Sequence, residues 1–158
     1  MSKTTPATLA LHKAGVEFEI VTYEYDPNAD RIGMQAAEAL GAEPAIVLKT
    51  LMAEVDDKPV CVVVPSDREV SMKKLAAAFG GKSGQMMKPA DAERQTGFKV
   101  GGVSPFGQRR KVPTAIELSA LRHALVFING GQRGLQVKLA PEAARIVLEA
   151  RAVSLVAE

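Results

Sequence analysis

The pattern of hydrophobic and polar positions predicts a chain built from both strands and helices. Apolar and polar residues alternate over 17–23, as expected for a half-buried strand, and the apolar runs 45–53 and 60–64 flank a turn that would pair them. Further strands are predicted at 112–118, 124–129, 135–139 and 153–156. Several of these strands are joined by short turns, so their pairing should be antiparallel or mixed.

Helix boundaries are marked by capping hydroxyls, prolines and glycines. Pro6 and Gly15 delimit a first helix over about residues 5–14, and Ser71 can cap a helix that ends near Gly80. Other helices are predicted at about 34–40, between Pro89 and Gly97, and over about ten residues from Pro141. Because helices separate only some of the strands, the predicted fold class is mixed α/β (α+β), with a curved sheet and the helices outside it.

The composition is that of one globular domain spanning residues 1–158. Hydrophobic residues make up 47% of the chain, enough to fill a core, and 24% are charged. The longest stretch without a formal charge, residues 123–132, is about half as long as a membrane helix, so no membrane partner is expected. A single cysteine excludes an intrachain disulfide and favours a reducing cytoplasm.

Charge is distributed unevenly along the chain. Residues 1–79 carry 8 Lys and Arg against 12 Asp and Glu, whereas residues 80–158 carry 12 against 6. Such polarity lets one face attract a polyanion while another repels it, although halves of a sequence need not be halves of a surface.

Metal and nucleotide-cofactor chemistry find no support in the sequence. His12 and His123 have no cysteine or carboxylate at ligand spacing, so neither a metal site nor a cofactor is predicted, and His12 is interpreted as a helix-surface residue. Cys61 stands in a run of valines, where a buried thiol resists ionisation, so it is not predicted as a nucleophile.

Lys49 is the only charged residue in the apolar run 45–53. Strand alternation places it on the face of Val47 and Leu51, where an ammonium would be partly desolvated and would seek an anion or a carbonyl. The alternative is that it keeps an edge strand from aggregating.

Two glycine-rich loops are candidates for ligand binding. Residues 101–107 combine paired glycines with Pro105 and lead into the basic run Arg109, Arg110 and Lys111, which would suit a phosphate backbone. The alternative is a tight turn with a solvated basic rim. In the second loop, 129–134, a two-residue hairpin at Gly130 and Gly131 would explain two of the glycines without any function.

Aromatic residues are too few for a platform that stacks several bases. Tyr23 and Tyr25 share a strand face by their spacing, so one of them could cap a terminal base or sugar. The alternative is that both pack on the sheet.

Four motifs in order along the chain, at 22–27, 48–51, 96–107 and 130–135, resemble the YbaK/EbsC family of free-standing aminoacyl-tRNA editing domains, the cysteinyl-tRNA(Pro) deacylases. The resemblance implies a mixed α/β fold with a curved, barrel-like sheet and surrounding helices. It also implies removal of cysteine from mischarged Cys-tRNA(Pro), with Cys-tRNA(Cys) as a second candidate substrate and prolyl-tRNA synthetase as a partner.

The resemblance also implies site residues. Lys49 matches the family's essential lysine, and Gly101 matches the glycine whose backbone faces the substrate ester. The substrate-binding positions that it implies are Tyr23, Ile32, Thr50, Gly102, Ser104, Pro105, Asn129, Gly131 and Arg133. Departures from the family pattern are Asn129 for a serine, Gln132 for a lysine, Ile32 for a phenylalanine and Phe106 for a leucine.

The mechanism implied by the resemblance needs no protein nucleophile, because the substrate's own cysteine thiol attacks the aminoacyl ester. Intramolecular attack gains from proximity, and a thiol with a pKa of about 8.5 is partly ionised near neutral pH. Two alternatives remain at this stage. One is water-mediated editing of Ala- or Ser-tRNA on the same fold, and the other is a non-catalytic module that binds tRNA or a synthetase.

Overall fold

The computed structural model describes residues 4–28 and 32–157, with the side chains of 32 and 33 outside that description. The α-helices are α1 (Pro6–Lys13), α2 (Ile32–Leu40), α3 (Met72–Ala78), α4 (Pro89–Thr96) and α5 (Pro141–Leu148). The strands are β1 (Glu19–Thr22), β2 (Leu48–Val55), β3 (Lys58–Pro65), β4 (Gly84–Met86), β5 (Thr114–Glu117), β6 (Val126–Gln132), β7 (Leu135–Leu139) and β8 (Arg151–Val153). Short 3₁₀ helices occupy Pro44–Ile46 and Leu118–Arg122.

Helix α1 begins as its sequence predicts. The Thr5 hydroxyl accepts a hydrogen bond from the Thr8 amide at 3.0 Å, and the Thr8 hydroxyl accepts one from the Thr5 amide at 2.9 Å. This reciprocal cap and a proline at the first helical position leave few amides of the first turn without a partner. Ala7 and Leu11 are fully buried, so α1 packs one side against the core.

The strands form two sheets, with the orders β1-β7-β6 and β4-β2-β3-β5-β8. Most pairs are antiparallel, but β3 with β5 and β5 with β8 are parallel, so the mixed α/β prediction is confirmed. Within the described ranges, one parallel bridge between Val47 and Phe127 joins the sheets. Val47 lies just before β2, so β2 itself does not pair with β6, and no closed barrel forms among the described strands.

Several boundaries differ from the sequence prediction. Strand β4 was not predicted, since it has only three residues and two of them are exposed. The last strand is β8 rather than 153–156, and Val156 makes one isolated bridge to Val70. The hairpin turn offered as an alternative at Gly130 and Gly131 does not form there: β6 continues to Gln132 through a register shift, and the turn to β7 lies at Arg133 and Gly134.

The interior is divided among several apolar clusters around the two sheets. The largest lies where α1 and α5 cover the β6–β7 pair, and a second lies where α3 and the C-terminal segment cover β2 and β3. Val62, Val63 and Val64 of β3 are fully buried, as expected for a strand covered on both faces. No helix in the described ranges is long and apolar enough to cross a bilayer.

Candidate active site

A cavity of about 270 Å³ opens where the two sheets meet. Its volume lies just below the roughly 300–1,000 Å³ of sites that take drug-sized ligands, which suits a group the size of an amino acid. The residues that line it are Tyr23, Tyr25, Ala36, Val47, Leu48, Lys49, Thr50, Leu51, Met52, Met86, Met87, Pro89, Ala92, Val100, Gly101, Val103, Asn129 and Gln136.

The cavity lies against an open edge of β2. Strand β4 pairs only with Ala53–Val55, and no other described strand continues this edge toward Leu48. The carbonyl of Met52 accepts a hydrogen bond from the Met87 amide at 3.1 Å on this side. Because backbone groups alternate in direction along an antiparallel strand, the amide and carbonyl of Thr50 point toward the cavity as well.

Lys49 lies half-buried at this edge, on the same strand face as Leu51. Burial lowers the pKa of its ammonium, and the nearby Glu69 and Asp67 carboxylates offset part of that decrease. No hydrogen bond or ion pair engages the ammonium among the described residues. A partly desolvated cation at the cavity wall is suited to bind an anionic or carbonyl group of a ligand.

Gly101, in the first glycine loop, lines the cavity, and its backbone amide differs from those of its neighbours. The Val100 amide donates to Glu93 Oε2 at 2.9 Å, and the Gly102 amide donates to the Lys99 carbonyl at 2.8 Å. The Val100 carbonyl accepts from Arg133 Nε at 2.9 Å. The Gly101 amide has no acceptor in the described part of the chain, so it is free to bind an oxyanion.

The Asn129 side chain forms hydrogen bonds with both glycine loops. Its Oδ1 accepts hydrogen bonds from the amides of Gly131 (2.7 Å) and Gln132 (3.3 Å), and its Nδ2 donates to the Gly101 carbonyl at 3.4 Å. These bonds stabilise the bulge in β6, where Gly131 has a φ of +92°. A serine hydroxyl has one proton to donate, so the longer asparagine side chain can bridge both loops more fully.

The two tyrosines enclose the cavity on the side of β1. The guanidinium of Arg133 lies 5.2 Å from the centroid of the Tyr25 ring, and a Cβ on Gly101 would lie 2.8 Å from the Tyr25 hydroxyl. Burial and the neighbouring Tyr25 raise the pKa of Tyr23, while hydrogen bonds with Gln136 and Gly134 oppose the increase. Both tyrosines therefore line the cavity rather than only packing on the sheet.

Gln136 is a lining residue that sequence reasoning missed. It lies in β7 directly opposite Asn129 and is only 4% exposed. Its Oε1 and the Thr50 Oγ1 are buried without a hydrogen-bond partner in the described structure. In the sequence, Gln136 and Lys138 are polar residues that alternate with apolar ones along β7, a pattern that many surface strands also show.

Some predicted substrate-binding residues are not among those that line the cavity. Ser104 and Pro105 are buried, and the Ser104 hydroxyl accepts from the Phe106 amide at 3.2 Å. Gly102 allows close contact of the two loops, because a Cβ there would lie 2.7 Å from the Arg133 nitrogen. A Cβ on Gly131 would likewise lie 2.8 Å from a carbon of the Phe98 ring. Ile32 begins α2, and its side chain lies outside the described part.

The three residues of the basic run have different surroundings. Arg109 is exposed and donates to the Arg94 carbonyl at 3.3 Å, and Arg110 lines a shallow pocket together with Asp91 and Arg94. Lys111 pairs with Glu149 at 2.9 Å. Their contact with a tRNA backbone stays a prediction.

Residues that could support other chemistry lie elsewhere. Cys61 is 1% exposed, and burial raises the pKa of its thiol to about 12. His12 is exposed on α1 and meets the Phe18 ring edge-on. In the described ranges, no three His, Cys, Asp or Glu side chains cluster closely enough to hold a metal ion.

Comparisons with known proteins give a consistent result. Residues 26–146 match the family described as aminoacyl-tRNA editing domain. An Enterococcus faecalis protein, EbsC, whose name describes it as a candidate Cys-tRNA(Pro)/Cys-tRNA(Cys) deacylase, is 38% identical over 124 residues, 77% of this chain and 75% of its own.

Two further matches differ in kind. The proline–tRNA ligase of Caldicellulosiruptor bescii is 32% identical over 105 residues, which is 66% of this chain but only 18% of the ligase. A crystal structure described as a candidate trans-editing enzyme for prolyl-tRNA synthetase superposes with a TM-score of 0.84 over 99% of this chain and all of that one. At 23% identity, that likeness shows a shared fold.

Proposed function

The chain belongs to the family of aminoacyl-tRNA editing domains, and from this premise we propose that it removes cysteine from mischarged Cys-tRNA(Pro). The name of its Enterococcus faecalis relative supports this substrate and adds Cys-tRNA(Cys) as a second one. Its similarity to part of a proline–tRNA ligase supports prolyl-tRNA synthetase as a working partner. Such a substrate would place the protein in the cytoplasm, which its single cysteine also favours.

One observation carries the proposed mechanism: the cavity lacks a nucleophile paired with a base. None of its described lining residues is Cys, Ser, His, Asp or Glu. Thr50 has a hydroxyl, but Lys49 is its neighbour in the strand and projects to the opposite face, so it does not serve as a base for that hydroxyl. The attacking group is then either water or a group of the substrate, and our proposal is that it is the cysteine thiol of the substrate.

In the proposed reaction, the sulfur of the cysteinyl group attacks its own ester carbonyl carbon. A C–S bond forms, the bond from that carbon to the ribose oxygen breaks, and the ribose oxygen takes up the proton that the thiol released. The products are the free tRNA and a four-membered cysteine thiolactone, which water then opens. No covalent intermediate forms on the protein.

The protein's contribution is electrostatic and positional. The free Gly101 amide stabilises the negative charge that develops on the carbonyl oxygen of the ester. The hydrogen bonds of Val100 with Glu93 and Arg133 keep the loop from changing conformation during the reaction. Lys49 binds the ribose or the terminal phosphate of the tRNA. Holding the thiol near the carbonyl supplies the gain from proximity that an ester in solution lacks.

The test is a deacylation time course with Cys-tRNA(Pro), Cys-tRNA(Cys), Ser-tRNA(Pro) and Ala-tRNA(Pro) in parallel. Cysteinyl substrates should be cleaved, and the seryl substrate should be nearly inert, because a hydroxyl is far less acidic than a thiol. The rate on Cys-tRNA(Pro) should rise with pH toward the thiol pKa of about 8.5.

Other outcomes would identify a different function. Equal rates on Cys-tRNA(Pro) and Ser-tRNA(Pro) would show water-mediated hydrolysis instead. Binding of all four tRNAs without loss of the amino acid would show a non-catalytic module. Trapping an aminoacyl group on the protein would contradict the mechanism directly.

A further inference from the structure

Two buried oxygen atoms in the cavity have no hydrogen-bond partner. They are Thr50 Oγ1 and Gln136 Oε1, and they are the only buried side-chain nitrogen or oxygen atoms without a partner that the described structure contains. Both residues line the same cavity. Buried polar atoms are nearly always satisfied in native proteins, so two exceptions at one cavity indicate a ligand that supplies the missing donors.

The two atoms reach the cavity from different sheets. Thr50 lies on the open edge of β2, and Gln136 lies in β7 opposite Asn129.

The chemistry of the missing group follows from the acceptors. A carboxamide oxygen only accepts hydrogen bonds, whereas a threonine hydroxyl can accept one and can also donate its own proton. The ligand must therefore supply a donor to Gln136 Oε1, and a single ligand group that donates to both oxygens must carry two protons on one atom. In an aminoacyl ester the α-amino group does, whereas the thiol and the ribose hydroxyl carry one proton each.

We propose that Thr50 Oγ1 and Gln136 Oε1 together bind the α-amino group of the aminoacyl moiety, an inference that rests on the proposed function. This contact would fix Cα between the two sheets and orient the ester carbonyl toward the free Gly101 amide. It would also explain how a cavity with mostly apolar walls selects an amino acid ester rather than any acyl ester.

The experiment uses two adenosine derivatives with a non-cleavable 3′-amide in place of the ester. One carries a cysteinyl group, and the other carries a 3-mercaptopropionyl group, which lacks only the amino group. Binding to the wild-type protein and to the variants Thr50→Val and Gln136→Leu is measured by calorimetry. The wild type should bind the cysteinyl compound at least about tenfold more tightly.

Each variant should lose most of that preference while binding the 3-mercaptopropionyl compound as the wild type does, which also shows that the variant is folded. Gln136→Glu should restore the preference and increase it below the pKa of an α-amino group, about 7.7–8.0, where the ligand is cationic. An undiminished preference in both Thr50→Val and Gln136→Leu would overturn the inference.

Failure of the inference and failure of the proposed function are distinguishable. If wild type cleaves Cys-tRNA(Pro) but the preference does not depend on these residues, the amino-group assignment is wrong and the function stands. If the preference depends on them but no ester is cleaved, the assignment stands and the function is wrong.

Discussion

Arg133 donates a hydrogen bond of 2.9 Å from Nε to the carbonyl oxygen of Val100. In a trans peptide, the carbonyl and the following amide point in opposite directions, so this bond fixes the direction of the Gly101 amide. Arg133 does not line the cavity, whereas Val100 and Gly101 do. We therefore predict that the carbonyl points away from the cavity and the amide points into it, so that Arg133 acts as a positioning residue.

Replacing Arg133 with methionine should lower kcat for deacylation by about tenfold to a hundredfold with little change in KM, because the Gly101 amide would no longer be preorganised. Arg133→Lys should retain part of the activity, since an ammonium can reach the carbonyl but does not reproduce the stacking on Tyr25. Arg122→Met, on an exposed 3₁₀ helix, is the control. An Arg133→Met variant with normal kcat would contradict the positioning role.

Replacing Gly101 with alanine should reduce activity by more than tenfold. The residue has a φ of +91°, and the new Cβ would lie 2.8 Å from the Tyr25 hydroxyl, so the loop or the ring must move. Gly41→Ala is the matched control, because Gly41 has a φ of +64° with nothing near its Cβ. Both variants should lose about 1–2 kcal/mol of stability, measured by thermal unfolding, but only Gly101→Ala should lose activity.

Replacing Lys49 with methionine should abolish most of the activity without destabilising the fold. Burial lowers the pKa of this ammonium, so its charged form is less favourable in the folded than in the unfolded protein at neutral pH. The midpoint of thermal unfolding should therefore stay the same or rise, whereas Lys58→Met on an exposed strand end should change neither property. A folded Lys49→Met variant that deacylates at the wild-type rate would remove the lysine from the mechanism.

Glu117 should make stability depend on pH. Its side chain is 4% exposed, and its Oε1 accepts the Leu155 amide at 2.8 Å while its Oε2 accepts the Ser119 amide at 2.9 Å. Burial alone would raise the pKa of this carboxyl, but these backbone donors outweigh it and hold the pKa below its ordinary value.

Because the folded pKa is lower than the unfolded one, the stabilisation is fully present above about pH 4.3 and is lost as pH falls through the folded pKa. Glu117→Gln should lower the free energy of unfolding by about 1–3 kcal/mol at pH 7, measured by urea denaturation. That difference should vanish in acid. A difference that is constant from pH 7 to pH 2 would show that the charge is irrelevant.

The basic run should differ residue by residue in its contribution to tRNA binding. Arg110→Ala should raise KM and reduce the salt dependence of binding by about one counterion, as expected for one phosphate contact. Lys111→Ala should have a smaller effect, because its ammonium is already 2.9 Å from Glu149. Glu149→Asn should strengthen tRNA binding by releasing Lys111, and asparagine tolerates the positive φ there.

Several elements were predictable because their signals lie within a few residues of each other. The cap of Thr5 and Thr8 defines α1, and the turn after Val55 pairs β2 with β3. The bulge in β6 was not predictable in this way. By local sequence rules, Gly130 and Gly131 suit a hairpin turn. In the structure, the Asn129 side chain accepts a hydrogen bond from the Gly131 amide, and β6 continues to Gln132.

The residues of the site were predictable only in part. Lys49 stands out because a charge in an apolar strand needs an explanation. The family resemblance, rather than the glycine pattern, implied Gly101 and also Arg133, and Gln136 was missed. Gln136 becomes notable because burial leaves Oε1 without a donor, and Arg133 because it holds the Val100 carbonyl. Both features arise only in the folded protein, where residues distant in the sequence pack against each other.

By itself, the sequence determined the mixture of helices and strands and the presence of a lone lysine in an apolar strand. Only the tertiary structure decided that Lys49, Gly101 and Gln136 line one cavity, and that β2 has an open edge there. The physical reason is how far apart in the sequence the interacting residues are. Helix caps and turns depend on hydrogen bonds between near neighbours, whereas a cavity depends on how two sheets pack, and residues far apart in the chain determine that packing.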